Sequence, residues 1–533
     1  DLNMTYQKSD VLLLCDVVAA ARRSSMEAFG LDTAHFLTAS QLSFSAWSKL
    51  TANDKNIEYL HSAELASMFK ARGGISVISI KLIEGINTPN SHLLFTDCVS
   101  LYPSVMAKYQ YPISDYRFET DIAIADIPNL DINGERFYQF EVDIHLPAER
   151  HDDHSGFHRW YPLLMNQRKI DDSELSARQL AYRHPDSIGG FTKLVADLLP
   201  KQNYTISLPL LQFMISVGYE VTKIHRVLSA KQDNIFGHYI KLNSEKRAAS
   251  SDDSLRNSLK IAMNSLYGRM LYTKAPVADR LFDPKTEEAK IYKAIRKSNF
   301  KSAVEINPDT TFVRSVSTKQ TKISLSHIGC VILDNSKLMM AEHMFRIMQV
   351  FGDKCRLAGT DTDSLFLHFS CSQAELDAGM TKLKDHFDTS NYPEDHPLHD
   401  KATKGLLGRL KNESLDLKSM PTAFVGLQAK SYAVETAIGT EKSTAKGIPR
   451  AHSTMIFDAY KSVLVDPNNS LPDIEFHRID RAKGKLSFVE SVRRSLSGFD
   501  DKRYLPETAG VWETLPHGYA GMALGDRTST SQS

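Results

Sequence analysis

Gly359-Thr360-Asp361-Thr362-Asp363-Ser364 sets two carboxylates one residue apart between the apolar runs Arg356-Leu357-Ala358 and Leu365-Phe366-Leu367-His368-Phe369. This pattern predicts a β-hairpin with its acids at the tight turn. Carboxylates fixed on a turn can share divalent cations; they can equally form an Asx-turn in which Asp361 bonds its own backbone. A third acid, Asp97, closes the short apolar run Leu93-Leu94-Phe95-Thr96, with Pro103 soon forcing a change of conformation, so it is expected at a strand's end facing a crevice. Between these acids in sequence, Arg256, Lys260, Asn264 and Tyr267 stand at i, i+4, i+8 and i+11 of a predicted helix. Ser250-Ser251-Asp252-Asp253 can cap that helix, and Gly268 is expected to end it. A cation, an amide and an aromatic ring along one face suit a triphosphate and a nucleobase. A solvated basic stripe accounts for Arg256 and Lys260 but not for the Asn-Ser-Leu-Tyr-Gly ending. The chemistry within reach of such a set is metal-assisted phosphoryl transfer to or from a nucleotide.

Residues so far apart need a scaffold that brings them together. The 533 residues suggest roughly three or four domains, and 42% hydrophobic with 24% charged residues is the composition of a globular chain with a sizeable core. No run reaches membrane-spanning length. The chain opens Asp1-Leu2-Asn3 with no basic-then-apolar leader, so an N-terminally incomplete piece of an intracellular, non-secreted protein is expected. The five cysteines (Cys15, Cys98, Cys330, Cys355, Cys371) are scattered and never spaced C-x-x-C, which argues against a disulfide framework and a zinc site; they are expected as buried small hydrophobes. Sixty-four basic residues balance 64 acidic ones, so a nucleic-acid partner would have to be met by a locally basic channel around an acidic centre.

Taken in order, residues 6–30 predict one helix: Val11, Leu12, Cys15, Val18, Ala19 and Arg22 fall at three- and four-residue steps, and Gly30 is its stop. Tyr6 and Asp10 stand one turn apart on it. After Ala71-Arg72, Gly73-Gly74 permits either a close approach of backbone to a ligand or a plain interdomain turn. Between Ser104 and the Lys260 helix lie about 150 residues, more than one strand connection needs, so an inserted subdomain is expected. Residues 137–144 alternate like a strand, and the polar, His-rich run 148–158 reads as an exposed loop. Residues 193–232 read as helix then strand, with Pro209 in a first helical turn; His225 is expected as a structural hydrogen-bonder. Residues 236–270 read as a helix pair whose first member carries Asn243, Lys246 and Arg247. Ser336 is expected to cap a helix with Leu338, Ala341, Phe345 and Met348 on its core face and Gly352 at its end.

Asp97-Cys98-Val99-Ser100-Leu101-Tyr102-Pro103-Ser104, Lys260-Ile261-Ala262-Met263-Asn264-Ser265-Leu266-Tyr267-Gly268 and the Asp361-Thr362-Asp363 hairpin, in this order, resemble motifs A, B and C of family B DNA polymerases. Lys430-Ser431-Tyr432 is similar to that family's K-x-Y motif at the primer end, with Lys446-Gly447-Ile448 following. Tyr6-x-x-x-Asp10 is similar to the third exonuclease motif of its proofreading members, and Gly73-Gly74 to its template-contacting glycine motif. The stretches Ser9-Asp10-Val11-Leu12-Leu13-Leu14 and Gly30-Leu31-Asp32-Thr33-Ala34-His35-Phe36 resemble the protein-primed branch, notably Polinton-type and related viral polymerases.

The resemblance implies an α+β right hand of palm, fingers and thumb, with insertions in the palm and a remnant of an RNase H-like exonuclease domain. The expected parts are 1–30 exonuclease remnant, 31–76 connector, 77–104 palm, 105–192 an insertion like terminal-protein region 1, and 193–235 palm. Then come 236–270 fingers, 271–316 a second insertion like terminal-protein region 2, 317–450 palm, and 451–533 a small thumb with a Ser/Thr-rich tail from Arg527. It implies a DNA-directed DNA polymerase adding dNTPs to a primer hydroxyl on a DNA template, with two Mg²⁺ ions, or Mn²⁺ in their stead, held by Asp97 and Asp363. Asp361 would be the auxiliary acid, Lys260, Asn264, Tyr267 and Arg247 would meet the nucleotide, and Tyr102 would lie beneath its sugar. Lys430, Tyr432, Gly268, Gly73 and Gly74 would meet primer and template, and a terminal protein could supply the priming hydroxyl. No exonuclease activity is expected, since Asp10 supplies one carboxylate where several are needed. Two other readings compete: an element-derived nucleic-acid-binding protein without activity, and an RNA polymerase or reverse transcriptase. The latter enzymes typically carry adjacent hairpin acids, which Thr362 here separates.

Overall fold

The computed structural model describes residues 2–520 apart from 52–55, 61, 87, 185–190, 273–276, 317–324, 449–451, 453, 470, 481–486 and 494. Its central sheet joins strands more than 250 residues apart in sequence: β1 (Ser76–Ile78), β2 (His92–Cys98), β3 (Cys355–Asp361) and β4 (Ser364–Phe369). They run antiparallel in the order β1-β3-β4-β2, and Leu410–Asn412 extends the sheet beyond β2. Leu365, Phe366, Leu367 and Phe369 are all buried, because β4 is covered on both faces. On one of them Phe366 meets Phe95 at 5.0 Å and Tyr432 at 4.9 Å between ring centres.

Four helices form a bundle beside this sheet: α1 (Leu2–Phe29), α2 (Ala39–Thr51), α3 (Gly237–Ala249) and α4 (Asp253–Met270). The Ser43 and Ser265 hydroxyls join α2 to α4 at 2.9 Å, and Trp47 Nε1 donates to the Ile235 carbonyl at 2.8 Å. Residues 31–76 are therefore more than a connector, since α2 packs on the expected fingers pair. Lys246 donates to the Ala28 carbonyl at the end of α1, and buried Asn243 donates to Tyr239, so both are structural. The α1 helix is as expected, but its apolar stripe is not buried. Val11, Leu12, Leu13, Leu14 and Val17 are each at least 60% exposed, and Cys15 is exposed too, so the expectation of five buried cysteines holds for four. Asp252 caps α4 through the Ser254 N–H (2.8 Å). The helix runs through Gly268 and ends at Met270, with Leu271 closing it, because Gly268 keeps a helical backbone rather than the left-handed one that ends helices.

Behind the sheet lies α5 (Ser326–Phe351), which begins ten residues before the expected cap at Ser336. The triplet Asp334-Asn335-Ser336 looks like a cap but lies buried mid-helix. Lys337 pairs with Asp334 at 3.0 Å, and the Ser336 hydroxyl bonds back to Leu333. A helix apolar almost all round is one enclosed by protein, and the polar triplet is tolerated because its charge is paired.

Tyr111–Glu119, Glu220–Asp233, Arg136–His145 and Lys201–Ser207 make one four-stranded sheet. The boundary expected at 192/193 does not divide the fold, because strands from both sides of it pair. Lys193–Ala196 is a strand against Met165–Arg168, not helix, while Leu208–Ser216 is the helix that Pro209 announces. The His-rich run is not wholly an exposed loop: its backbone passes through the left-handed region at His154, Ser155 and Gly156 before a short turn of helix to Trp160, and His151 and His158 are buried. Burial holds the His158 imidazole down at about 4 while its Nε2 donates to the Val217 carbonyl. His225 bonds Asp143 at 2.8 Å, as a structural role requires.

Residues 277–316 form a three-stranded sheet and a helix around their own core of Phe282, Ile291 and Val313. Phe457–Val465 and the hairpin Ile474–Asp480/Ser487–Arg493 follow. Residues 495–519 are then not part of a small thumb but return to the central sheet. There Lys81 and Asp500 pair at 2.7 Å with both side chains under 10% exposed, and the Arg503 guanidinium is buried. The Ser/Thr-rich end from Arg527 lies outside the described residues. Among the described residues no helix is long and apolar enough to cross a membrane.

Lys81→Met leaves the Asp500 carboxylate buried without its ion-pair partner, and a loss of about 3–5 kcal/mol is expected. Adding Asp500→Leu removes the orphaned charge and should restore much of it. Thermal melts of the two variants check this; a double variant no more stable than the single would contradict it.

Candidate active site

The backbone brings Asp97 and Asp363 together. In the β2–β4 register Asp97 stands opposite Ser364, and the Cys98 N–H donates to the Asp363 carbonyl at 2.7 Å. The turn is tight: Thr362 takes φ +67° and the Asp363 N–H donates to the Asp361 carbonyl at 2.8 Å. Upstream, the Thr362 N–H donates to the Ile75 carbonyl at 2.8 Å, which draws the two-glycine segment onto the turn. A Cβ on Gly74 would stand 2.6 Å from Thr362 Cγ2, so only glycine allows this approach; a Cβ on Gly73 would meet open space.

Both carboxyls are half-buried, and both are pushed upward. Burial, then the neighbouring Asp363 and Glu413, lift Asp97 from the ordinary 3.8 to about 7, with Lys442 and Lys260 pulling it back. Asp363 is raised by burial first and by Asp361 and Glu413, against its own backbone N–H and Lys430. The Asp97 carboxylate accepts no hydrogen bond or ion pair from the described residues. Asp361 differs: it accepts from the Ser76 hydroxyl at 3.0 Å and pairs with Lys430 Nζ at 3.0 Å. Among the described residues Asp97 and Asp363 thus have no ion-pair partner, Asp363 meeting only its own backbone N–H, while Asp361 is already held.

Above them the α4 face is as the spacing predicts. Arg256, Lys260 and Asn264 are exposed in line, and Tyr267 is half-buried. Lys260 and Asn264 make no hydrogen bond or ion pair with a described residue, whereas Arg256 pairs with Asp253 at 3.3 Å. The Tyr102 and Tyr267 rings stack at 3.9 Å and 6°, so one aromatic floor joins the end of β2 to α4. Arg247 is half-buried on α3 with no ion pair among the described residues, and a Cβ on Gly268 would meet nothing within 4 Å. Lys430 stands at the turn between Pro421–Gln428 and Ser431–Thr436, and Tyr432 is buried against Phe366 behind β4. Tyr6 and Asp10 lie exposed on α1, apart from this cluster.

Glu413 and Lys442, paired at 3.5 Å, complete the centre and were not singled out in the sequence. Glu413 follows the strand Leu410–Asn412, which reaches Asp97 only through its pairing with β2. The one local signal is Asn412, whose side chain caps the turn at the Ser414 N–H (3.0 Å). Among the described residues no three His, Cys, Asp or Glu side chains form a ready-made metal cage. Free, half-buried carboxylates that repel one another nonetheless fit cations of the Mg²⁺ kind. Such ions take one or two carboxylates and complete their shell with water and substrate phosphates.

A sequence profile of the family described as DNA polymerase type B, organellar and viral, matches residues 2–159, a stretch that contains Asp97 and Tyr102. Compared with curated proteins, the sequence matches none. The fold is similar to that of Phi29 DNA polymerase complexed with primer-template DNA and incoming nucleotide substrates, at TM-score 0.50 and 15% identity over 86% of this chain and 68% of that one. It is similar to that of the same polymerase in a post-translocation binary complex with primer-template DNA, at TM-score 0.51 and 15% identity over 88% and 69%.

The raised Asp97 carboxyl carries a sign. Its proton favours the metal-free fold fully below about pH 4, and that contribution is lost as the pH rises to about 7. Asp97→Asn removes the charge. In EDTA its melting advantage over the parent should therefore widen between about pH 4 and pH 7 and then level off at roughly 2–6 °C. Mg²⁺ at about pH 8 should raise the parent's midpoint and not the variant's. A pH-independent difference would contradict the assignment.

Proposed function

We propose that this chain is a DNA polymerase of the organellar and viral type B and extends a primer 3′ hydroxyl with deoxynucleotides at the Asp97–Asp363 pair. The observation that carries this is the pairing of β2 with β4, which sets two unpaired carboxylates side by side beneath the free ammonium of Lys260. As a DNA-directed DNA polymerase it is a nucleotidyltransferase, and its partners are template, primer and dNTPs.

Asp97 and Asp363 would hold two divalent cations, Mg²⁺ or Mn²⁺, and those ions when bound lower the pKa of the primer hydroxyl and offset charge on the leaving pyrophosphate. Lys260, with Arg247 from the facing helix, neutralises the triphosphate. Asn264 supplies an amide on the same face. The Tyr102 ring, braced by Tyr267, lies under the sugar and rejects a 2′-hydroxyl by contact. Lys430 meets the primer end while its ammonium holds Asp361, so Asp361 helps without carrying a cation alone. Gly73 and Gly268 leave backbone open to template and primer, Gly74 seats the Thr362 turn instead, and Tyr432 supports β4 from behind.

The finer reading is protein-primed replication of a viral or transposable-element genome inside a host cell. Two features support it: the extra sheet of residues 111–233, in the position of the insertion that holds a terminal protein, and the separate unit 277–316, in the position of the second. In this reading residues 2–29 are the last helix of an exonuclease domain, and residues 457–493 are the thumb.

Primer extension with Mg²⁺ and dNTPs tests the function. Asp97→Asn or Asp363→Asn should lower incorporation by at least roughly a thousandfold while primer-template affinity survives, and Asp361→Asn should cost less. Incorporation near the parent's by either of the first two would sink the assignment. Tyr102→Val should lower the ratio of dNTP to rNTP efficiency by roughly tenfold to a hundredfold with dNTP insertion retained; an unchanged ratio makes Tyr102 a packing residue.

A further inference from the structure

The catalytic sheet ends at β1, and an edge strand is free to slip unless something covers it. Residues 500–514 cover this edge. Ile80 and Glu513 form an antiparallel bridge, the Lys81 N–H donates to the Trp512 carbonyl at 2.8 Å, and the Thr514 N–H donates to the Ser79 carbonyl at 2.8 Å. Buried Arg503 ties the segment to itself and to the body through Thr514 Oγ1 (2.7 Å) and the Arg159 carbonyl (2.8 Å). Glu513 is shared between Arg356 of β3 at 2.6 Å and Arg159 at 2.9 Å.

From this strap Lys502 Nζ donates to the Ser76 carbonyl at 3.2 Å. Ser76 stands opposite Asp361 in the β1–β3 register, and its hydroxyl donates to Asp361 Oδ1 at 3.0 Å. The ammonium also faces the charges of Asp500, Asp501, Lys193 and Asp361. We propose that Lys502 is a positioning residue for nucleotide addition: by holding the Ser76 carbonyl it fixes β1 and, through β1, the Asp361–Asp363 turn. A slip of β1 would take the Ser76 hydroxyl from Asp361 and the Ile75 carbonyl from the Thr362 N–H, two of the bonds that tie the turn to the sheet. Lys430 holds Asp361 from the other side, so this carboxylate is clamped while Asp363 stays free. The role rests on the polymerase reading for its consequence in catalysis, but not for the clamp itself.

Lys502→Met and Lys502→Arg in the full chain test it with two readouts. Hydrogen exchange of the metal-free protein should be about tenfold faster at the Thr362 and Asp363 amides in the Met variant, with protection in the rest of the sheet unchanged. In primer extension kcat should fall about tenfold to a hundredfold, with the KM for dNTP within about twofold of the parent's. Lys502→Arg should recover both. Unaltered exchange at Thr362 and Asp363 overturns the proposal, as does faster exchange across the whole sheet, which would make Lys502 merely structural. A parent chain that adds no nucleotide strikes at the polymerase reading alone, and the exchange measurement still decides the role of Lys502.

Discussion

Asp97 and Asp363 repel one another, and the backbone holds them together all the same. The Cys98 N–H to Asp363 carbonyl bond lies in the ladder between β2 and β4, so neither acid can withdraw without breaking the sheet that carries it. Ladder hydrogen bonds and a buried aromatic face around Phe366 provide the stability that this repulsion consumes. Among the described residues neither Asp97 nor Asp363 has an ion-pair partner to offset this repulsion, whereas Asp361 beside them is paired with Lys430.

The rest of the structure serves that centre from a distance. Net charge is zero over the whole chain, yet Lys260 on α4, Lys430 at a hairpin turn, Lys442 on the strand Gly439–Thr444 and Lys502 on the C-terminal strap all face the acids. Each comes from a different element, so no stretch of sequence is strongly basic. The local field is a product of topology, and a global charge balance says nothing against a polyanionic substrate.

What was legible in the sequence was local. The Asp361-Thr362-Asp363 hairpin, the strand ending at Asp97, the Lys260 face of α4 and the Pro209 helix each carry their pattern within a dozen residues. What was missed depends on partners far along the chain. Ser336 looks like a cap because its neighbours are polar, and only the Lys337–Asp334 pair inside α5 makes that polarity tolerable in a core. The boundary near 192 was misjudged because strands pair across it. Residues 495–519 read as a thumb and tail because Arg503 and Asp500 are charged, and charged residues are rarely buried unless paired. Glu413 reaches the site through a three-residue strand too short to recognise. The α1 stripe is a correct helical pattern that the described residues leave exposed.

Anomalous scattering from a crystal grown with Mn²⁺, a primer-template and a non-reacting dNTP analogue tests the central claim most directly. The account predicts manganese peaks between the Asp97 and Asp363 carboxylates, with the triphosphate reaching the Lys260 ammonium and Asp361 still paired to Lys430. Manganese bound elsewhere, or a nucleotide seated away from Lys260 with Asp97 and Asp363 bare, would contradict it.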